Sequence, residues 1–145
     1  MSNQENMNKT FPDNRERPVA LTVLCVLTFI GSGFSAISFL MIYFSFEEVQ
    51  PLMNELSNRL PGMELLANAG KNFFLTGFIL YFFSLTGARL MWNLRKTGFH
   101  FYTASQIALV LLPFVYLKGF PIPFLDAIIT LLFIYLYSRF LKLMN

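Results

Sequence analysis

The sequence predicts an all-α integral membrane protein: a four-helix bundle with both termini cytoplasmic and a short amphipathic helix in its outer loop. Three observations carry that prediction. Four apolar runs follow one another, and the two central ones are each about 20 residues long, which at about 1.5 Å of rise per residue just crosses a hydrocarbon core of about 30 Å. Of the 145 residues 55% are hydrophobic and only 13% charged, with a mean hydropathy of +0.54, whereas a soluble domain carries about 25% charged residues. The basic residues also gather beside alternate ends of the runs, the pattern that orients spans in a membrane. A soluble fold this small could not hide 18 phenylalanines from water; in a bilayer it need not.

Residues 1–17 are polar, rich in Asn and charge, and lack an apolar stripe, so they are expected to form a cytoplasmic tail. Placed there, the glycosylation sequon Asn8-Lys9-Thr10 is inert. Pro18 opens the first run, with its fixed φ suited to a helix start, and the span is expected over 19–46. A signal peptide has an apolar region of only about 7–15 residues, whereas this run stays apolar through Phe39 to Phe44; an uncleaved helix follows. The lone Cys25 lies inside it, with no partner for a disulfide, and reads as packing.

The loop 47–71 is acidic, with Glu47, Glu48, Glu55 and Glu64 against Arg59. Pro51 is expected to start a short helix whose Leu52, Met53, Leu56 and Leu60 share one face, lying along the membrane surface before Pro61 and Gly62 end it. Two further spans, 72–93 and 99–117, flank a basic turn with Arg89, Arg95 and Lys96 that closes on Thr97 and Gly98. Pro121 and Pro123 then bar continuation of the third helix, and the last span is expected over 123–140. Residues 18–145 thus form one membrane domain.

Orientation follows from Lys and Arg. With the N-terminus inside, eight basic residues (Lys9, Arg15, Arg17, Arg89, Arg95, Lys96, Arg139, Lys142) flank the inner ends. Three (Arg59, Lys71, Lys118) flank the outer ends. The pI of 9.2 therefore reflects orientation charges set singly or in pairs, and no nucleic-acid partner is expected. Trp92 and Tyr102 are expected in the inner aromatic belt, with Tyr43 and Tyr116 in the outer one.

Few residues in the runs can carry chemistry. Asp126 is the one carboxylate, and it admits two readings. In the first turn of the last helix an anion is favoured by the helix dipole by about 0.3–1 kcal/mol, with Lys118 near enough in sequence to pair with it. Alternatively, an intramembrane carboxylate marks an ion or proton path. Tyr102, Ser105 and Gln106 fall within one turn of the third span and turn toward the protein, either to bond other helices or to line a polar path with Asp126. The only histidine, His100, stands among aromatics with no second ligand nearby, so no metal or cofactor is expected. HExxH, GxSxG, paired intramembrane aspartates and phosphate loops are all missing, so no catalytic residues are expected.

Small residues give the packing expectation. Lipid supplies no hydrophobic drive between helices, so helices meet where backbones can approach. Thr28, Gly31, Ser35 and Ser38 form one such face on the first span. Gly77 and Ser84, with Gly70, Gly87 and Ala88, form another on the second. The two are expected to pack on each other, or one of them to form a dimer seam.

The stretch from Arg17 to Gly31 (RPVALTVLCVLTFIG), with Gly87 to Trp92 (GARLMW) and Arg95 to Phe99 (RKTGF), resembles small uncharacterised four-span proteins of bacterial inner membranes. The resemblance implies a bacterial membrane setting and transfers no activity or site residues. On residues alone, the chain is expected to be a non-catalytic subunit or accessory factor that packs with itself or another membrane protein in the lipid bilayer. The alternative is a small oligomeric transporter or channel with a polar path near Asp126, Gln106 and Tyr102.

Overall fold

The computed structural model describes residues 17–61, 63–119, 121 and 123–144; of the expected tail over 1–17, all but Arg17 lies outside them. Among these residues there are no strands. Six helices follow in order: α1 Val19–Phe44, α2 Phe46–Ser57, α3 Met63–Asn68, α4 Lys71–Trp92, α5 Lys96–Tyr116 and α6 Phe124–Ser138, with a 3₁₀ turn at Leu141–Leu143. Four segments are long and apolar enough to cross a membrane: α1, α4, α5, and α6 together with the turn that extends it to Leu143.

The assembly has two ends. One gathers Arg17, Arg89, Arg95, Lys96, Arg139 and Lys142 and is called here the basic end; the other carries α2, α3 and the 117–123 turn and is called the loop end. Arg17 lies over the Trp92 ring at 4.1 Å and Lys71 over Tyr43 at 4.8 Å, so a cation–aromatic contact ties chain segments together at each end.

α4 and α5 form the tightest pair. Their connection needs only Asn93, Leu94 and Arg95, because Leu94 takes a left-handed conformation (φ 58°). Its N–H then reaches Met91 O at 2.9 Å while the Arg95 N–H reaches Leu90 O at 3.0 Å, the Schellman closure of a helix. Beyond that turn the two backbones touch. A Cβ on Gly98 would stand 2.6 Å from both Gly87 O and Met91 N, and one on Gly87 2.6 Å from the Tyr102 N. Gly98, expected to end a turn, instead lies in the first turn of α5, where only glycine admits the α4 backbone.

α1 packs antiparallel on α4, but through a stripe other than the expected one. Cys25 donates to Ala88 O at 3.8 Å, Ser32 and Ser84 share a hydrogen bond at 3.1 Å, and the Phe39 ring sits on Gly77. The α1 seam is therefore Cys25, Ser32 and Phe39, spaced by seven. Gly31 is exposed with open space where a Cβ would be, and Ser38 bonds its own helix at Phe34 O. Small residues meet small ones at Cys25–Ala88 and Ser32–Ser84, while Gly77 receives the large Phe39 ring.

Two apolar clusters fill the ends. At the loop end, Phe46 and Met53 of α2 and Ala67 of α3 close over Phe73, Phe74, Leu112 and Leu117. α2 starts at Phe46 and runs through Pro51. The bond lost to the proline is the one to Glu47 O, and water can serve that carbonyl because Glu47 is exposed. The buried face of α2 is Phe46 and Met53, with Val49 beside them, whereas Leu52 and Leu60 point outward. α2 thus caps the core. At the basic end, Leu21, Leu24, Cys25, Met91, Tyr102, Tyr137 and Met144 pack together.

α6 belongs to only one of these clusters. Its Phe133, Ile134, Leu136 and Tyr137 join the basic-end core, yet no described residue of α6 joins the loop-end core. Tyr137 is its single buried residue. The helix is pinned at one end and stands away at the other.

Candidate functional site

The gap beneath the unpinned half of α6 is where the polar residues of the spans converge. Two adjoining cavities lie there, about 160 and 210 Å³. The first, at the loop end, is lined by Tyr81, Gln106, Leu109, Val110, Pro113, Pro123, Asp126, Ile129 and Thr130. The second runs toward the basic end between α1 and α6, along Thr28, Gly31, Ser32, Ser35 and Tyr102. Tyr81, Gln106, Ile129 and Thr130 line both, so the two form one cleft. Each lobe exceeds the room one water molecule needs.

Helical spacing explains the convergence. On α6, Asp126, Thr130, Phe133 and Tyr137 recur at i, i+4, i+7 and i+11, one face of a helix. On α5, Tyr102, Gln106, Leu109 and Pro113 do the same. Asp126 is exposed at the mouth of the cleft, and Lys118 is not among the residues lining it. Gln106, midway along α5, donates from Nε2 to Ser84 Oγ at 3.0 Å. Ser84 is completely buried and is bonded in turn to Ser32. This Ser32–Ser84–Gln106 chain ties α1, α4 and α5 together at mid-depth and fixes the amide at the junction of the lobes, in surroundings where an unpaired polar group is costly.

The floor of the cleft is closed. Tyr137 shares a 2.8 Å hydrogen bond with Thr28, and its ring meets Tyr102 edge-on with centroids 4.9 Å apart. Tyr102 is 3% exposed, so it plugs the core instead of standing in an interfacial aromatic belt. Beside it, Leu21, Cys25 and Met91 are fully buried in the same cluster as the two tyrosines.

Of the residues expected to make a polar path, Asp126 and Gln106 thus share the mouth lobe, and Gln106 and Tyr102 share the deep one. Of those expected to pack, Gly77 and Ser84 lie in the α1–α4 seam, while Gly31 and Ser35 line the deep lobe and Ser38 touches neither. Tyr81, Thr130, Ser32 and Tyr137 had no sequence-level role. The i, i+4 pair Asp126 and Thr130 was the available signal for one of them; Tyr81, amid phenylalanines, gave none. The described residues hold no group of three or more His, Cys, Asp or Glu placed to bind a metal.

The sequence matches no protein-family model and no curated protein, and the fold matches no solved structure.

Proposed function

We propose that the chain is a multi-pass protein of a bacterial inner membrane, a four-helix bundle with both termini cytoplasmic. In this reading it serves as a small non-catalytic subunit that packs through α6 with itself or another membrane protein. The basic end is then the cytoplasmic end, as the eight-to-three distribution of Lys and Arg favours. The observation that carries the reading is the poor internal cover of α6. Phe124, Leu125, Ile128 and Leu131 are each more than 60% exposed, and a neighbouring helix packed on α6 would cover them. An apolar groove of about 310 Å³ between α5 and α6, lined by Ile107, Leu111, Leu131 and Ile134 among others, leaves α6 further room to seat against a partner.

The test is crosslinking in native membranes with single cysteines in a Cys25→Ala background. Leu125→Cys and Leu131→Cys on α6 are expected to link to a second polypeptide, whereas Ile30→Cys and Phe34→Cys on the exposed side of α1 stay uncoupled. Uncoupled chains in all four variants would contradict the reading.

The cleft favours a second reading, a small oligomeric transporter or channel using Asp126, Gln106 and Tyr102. In this conformation the path stops at Tyr102 and Tyr137, so passage requires α6 to pivot away from Thr28. Ion flux into proteoliposomes that Asp126→Asn removes is its signature.

A further inference from the structure

We infer that the cleft under α6 is a binding site for a small molecule that carries one protonated amine on an apolar body. The inference goes beyond the subunit reading and shares with it only the insertion of the chain in a bilayer. It starts from sign. Among the described residues, Asp126 is the single formally charged side chain on the cleft, and no Lys, Arg or His lines either lobe. A cation is the ligand such a site attracts.

Acceptor geometry narrows the class. Pro113 lies inside α5 and has no N–H, so the Leu109 carbonyl lacks its usual helical donor. Leu109 and Pro113 both line the mouth lobe with Asp126. Gln106 makes one hydrogen bond among the described residues, as a donor, which leaves its amide oxygen for the cleft. A carboxylate, a freed backbone carbonyl and an amide oxygen are three acceptors, the number an alkylammonium with three N–H donors needs. They are too few for a bare hard cation such as Ca²⁺, which takes about six to eight oxygens. The remaining walls are hydrocarbon, Val110 and Ile129 among them, so the rest of the ligand is apolar. The Tyr102–Tyr137 contact closes the cleft toward the basic end, while the exposed Leu27, Gly31 and Ile129 leave it open sideways between α1 and α6.

The test uses the full chain in lipid nanodiscs and two fluorescent probes, dansylcadaverine, which has a primary ammonium, and dansylamide, which lacks one. Disc assembly itself reports whether the chain inserts, so failed insertion and failed binding are separate results. Saturable dansylcadaverine binding above that of empty discs is expected, with dansylamide at least about tenfold weaker, the scale of one lost charge-assisted contact. Asp126→Asn should weaken dansylcadaverine by a similar factor and Thr130→Val by less, while Glu64→Gln, outside the cleft, changes nothing. Absence of saturable binding, equal binding of both probes, or full binding by Asp126→Asn would overturn the inference. The probe pair on the unaltered chain decides it even where a variant fails to assemble. Displacement of the probe in discs containing ethanolamine lipid identifies the natural ligand as a lipid headgroup. Undiminished probe binding there identifies it as a free amine; either supports the site.

Discussion

Gly98→Ala is expected to destabilise the protein by about 1–3 kcal/mol, despite the roughly 1 kcal/mol that alanine gains over glycine in helix propensity. The added methyl meets backbone on two sides, Gly87 O and Met91 N, each 2.6 Å from where it would stand. Neither atom can turn away, so the two helices must part, and with them the Schellman turn at Leu94. Gly77→Ala provides the comparison. Its methyl meets only the Phe39 side chain, which can shift where a backbone atom cannot, so the loss should be smaller. Thermal unfolding in detergent, comparing both variants with the unaltered chain, measures the difference. Equal losses would mean that the α4–α5 approach is no closer than the α1–α4 seam.

Tyr137→Ala is expected to cost more, about 3–5 kcal/mol, the usual range for deleting a large buried ring. Tyr137 is fully buried, bonds Thr28 at 2.8 Å and stacks edge-on against Tyr102. It is also the only buried residue of α6, so its loss should free the helix as well as weaken the core. Proteolysis should then cut at the 117–123 turn or past Ser138 well before the remaining helices open. Tyr137→Phe retains ring and stacking and removes one hydroxyl contact. That costs about 0.6 kcal/mol on average between membrane helices, and α6 should stay seated. If both variants lose stability equally, the hydrogen bond and not the ring holds α6 in place.

These two predictions also mark what the amino-acid sequence discloses and what it conceals. Apolar runs and their flanking charges reveal the four long helices, because length and hydropathy are properties of each segment alone. Gly98 is concealed: next to Thr97 and a basic pair it reads as a breaker, and only the path of α4 shows that the missing Cβ makes room for another backbone. The α1 seam is concealed for a related reason. A small-residue stripe says that something can come close, but not that Phe39 fills the notch at Gly77. Pro51 reads as a helix start, yet the helix runs through it at the small cost of one carbonyl that water can serve.

The cleft is half legible. Asp126 and Gln106 stand out because polar groups in apolar runs need a reason to be there. That they line one space depends on α6 being pinned only at Tyr137, a fact of packing that no local pattern carries. Tyr81 and Tyr102 look alike in sequence, each amid aromatics, yet one lines the junction of the lobes and the other helps seal the floor.

The claim on which the rest depends is that α6 leaves a cleft along Asp126, Gln106 and Thr130 that is open at the loop end and closed toward the basic end by Tyr102 and Tyr137. A membrane-impermeant thiol reagent tests this most directly, applied from the loop-end side to single-cysteine chains. Thr130→Cys and Ser35→Cys, each in the Cys25→Ala background, should be labelled rapidly, while native Cys25, completely buried in the same cluster as Tyr102 and Tyr137, stays unlabelled in the folded protein. Labelling of Cys25 as fast as the cleft positions, or protection of all three, would contradict it.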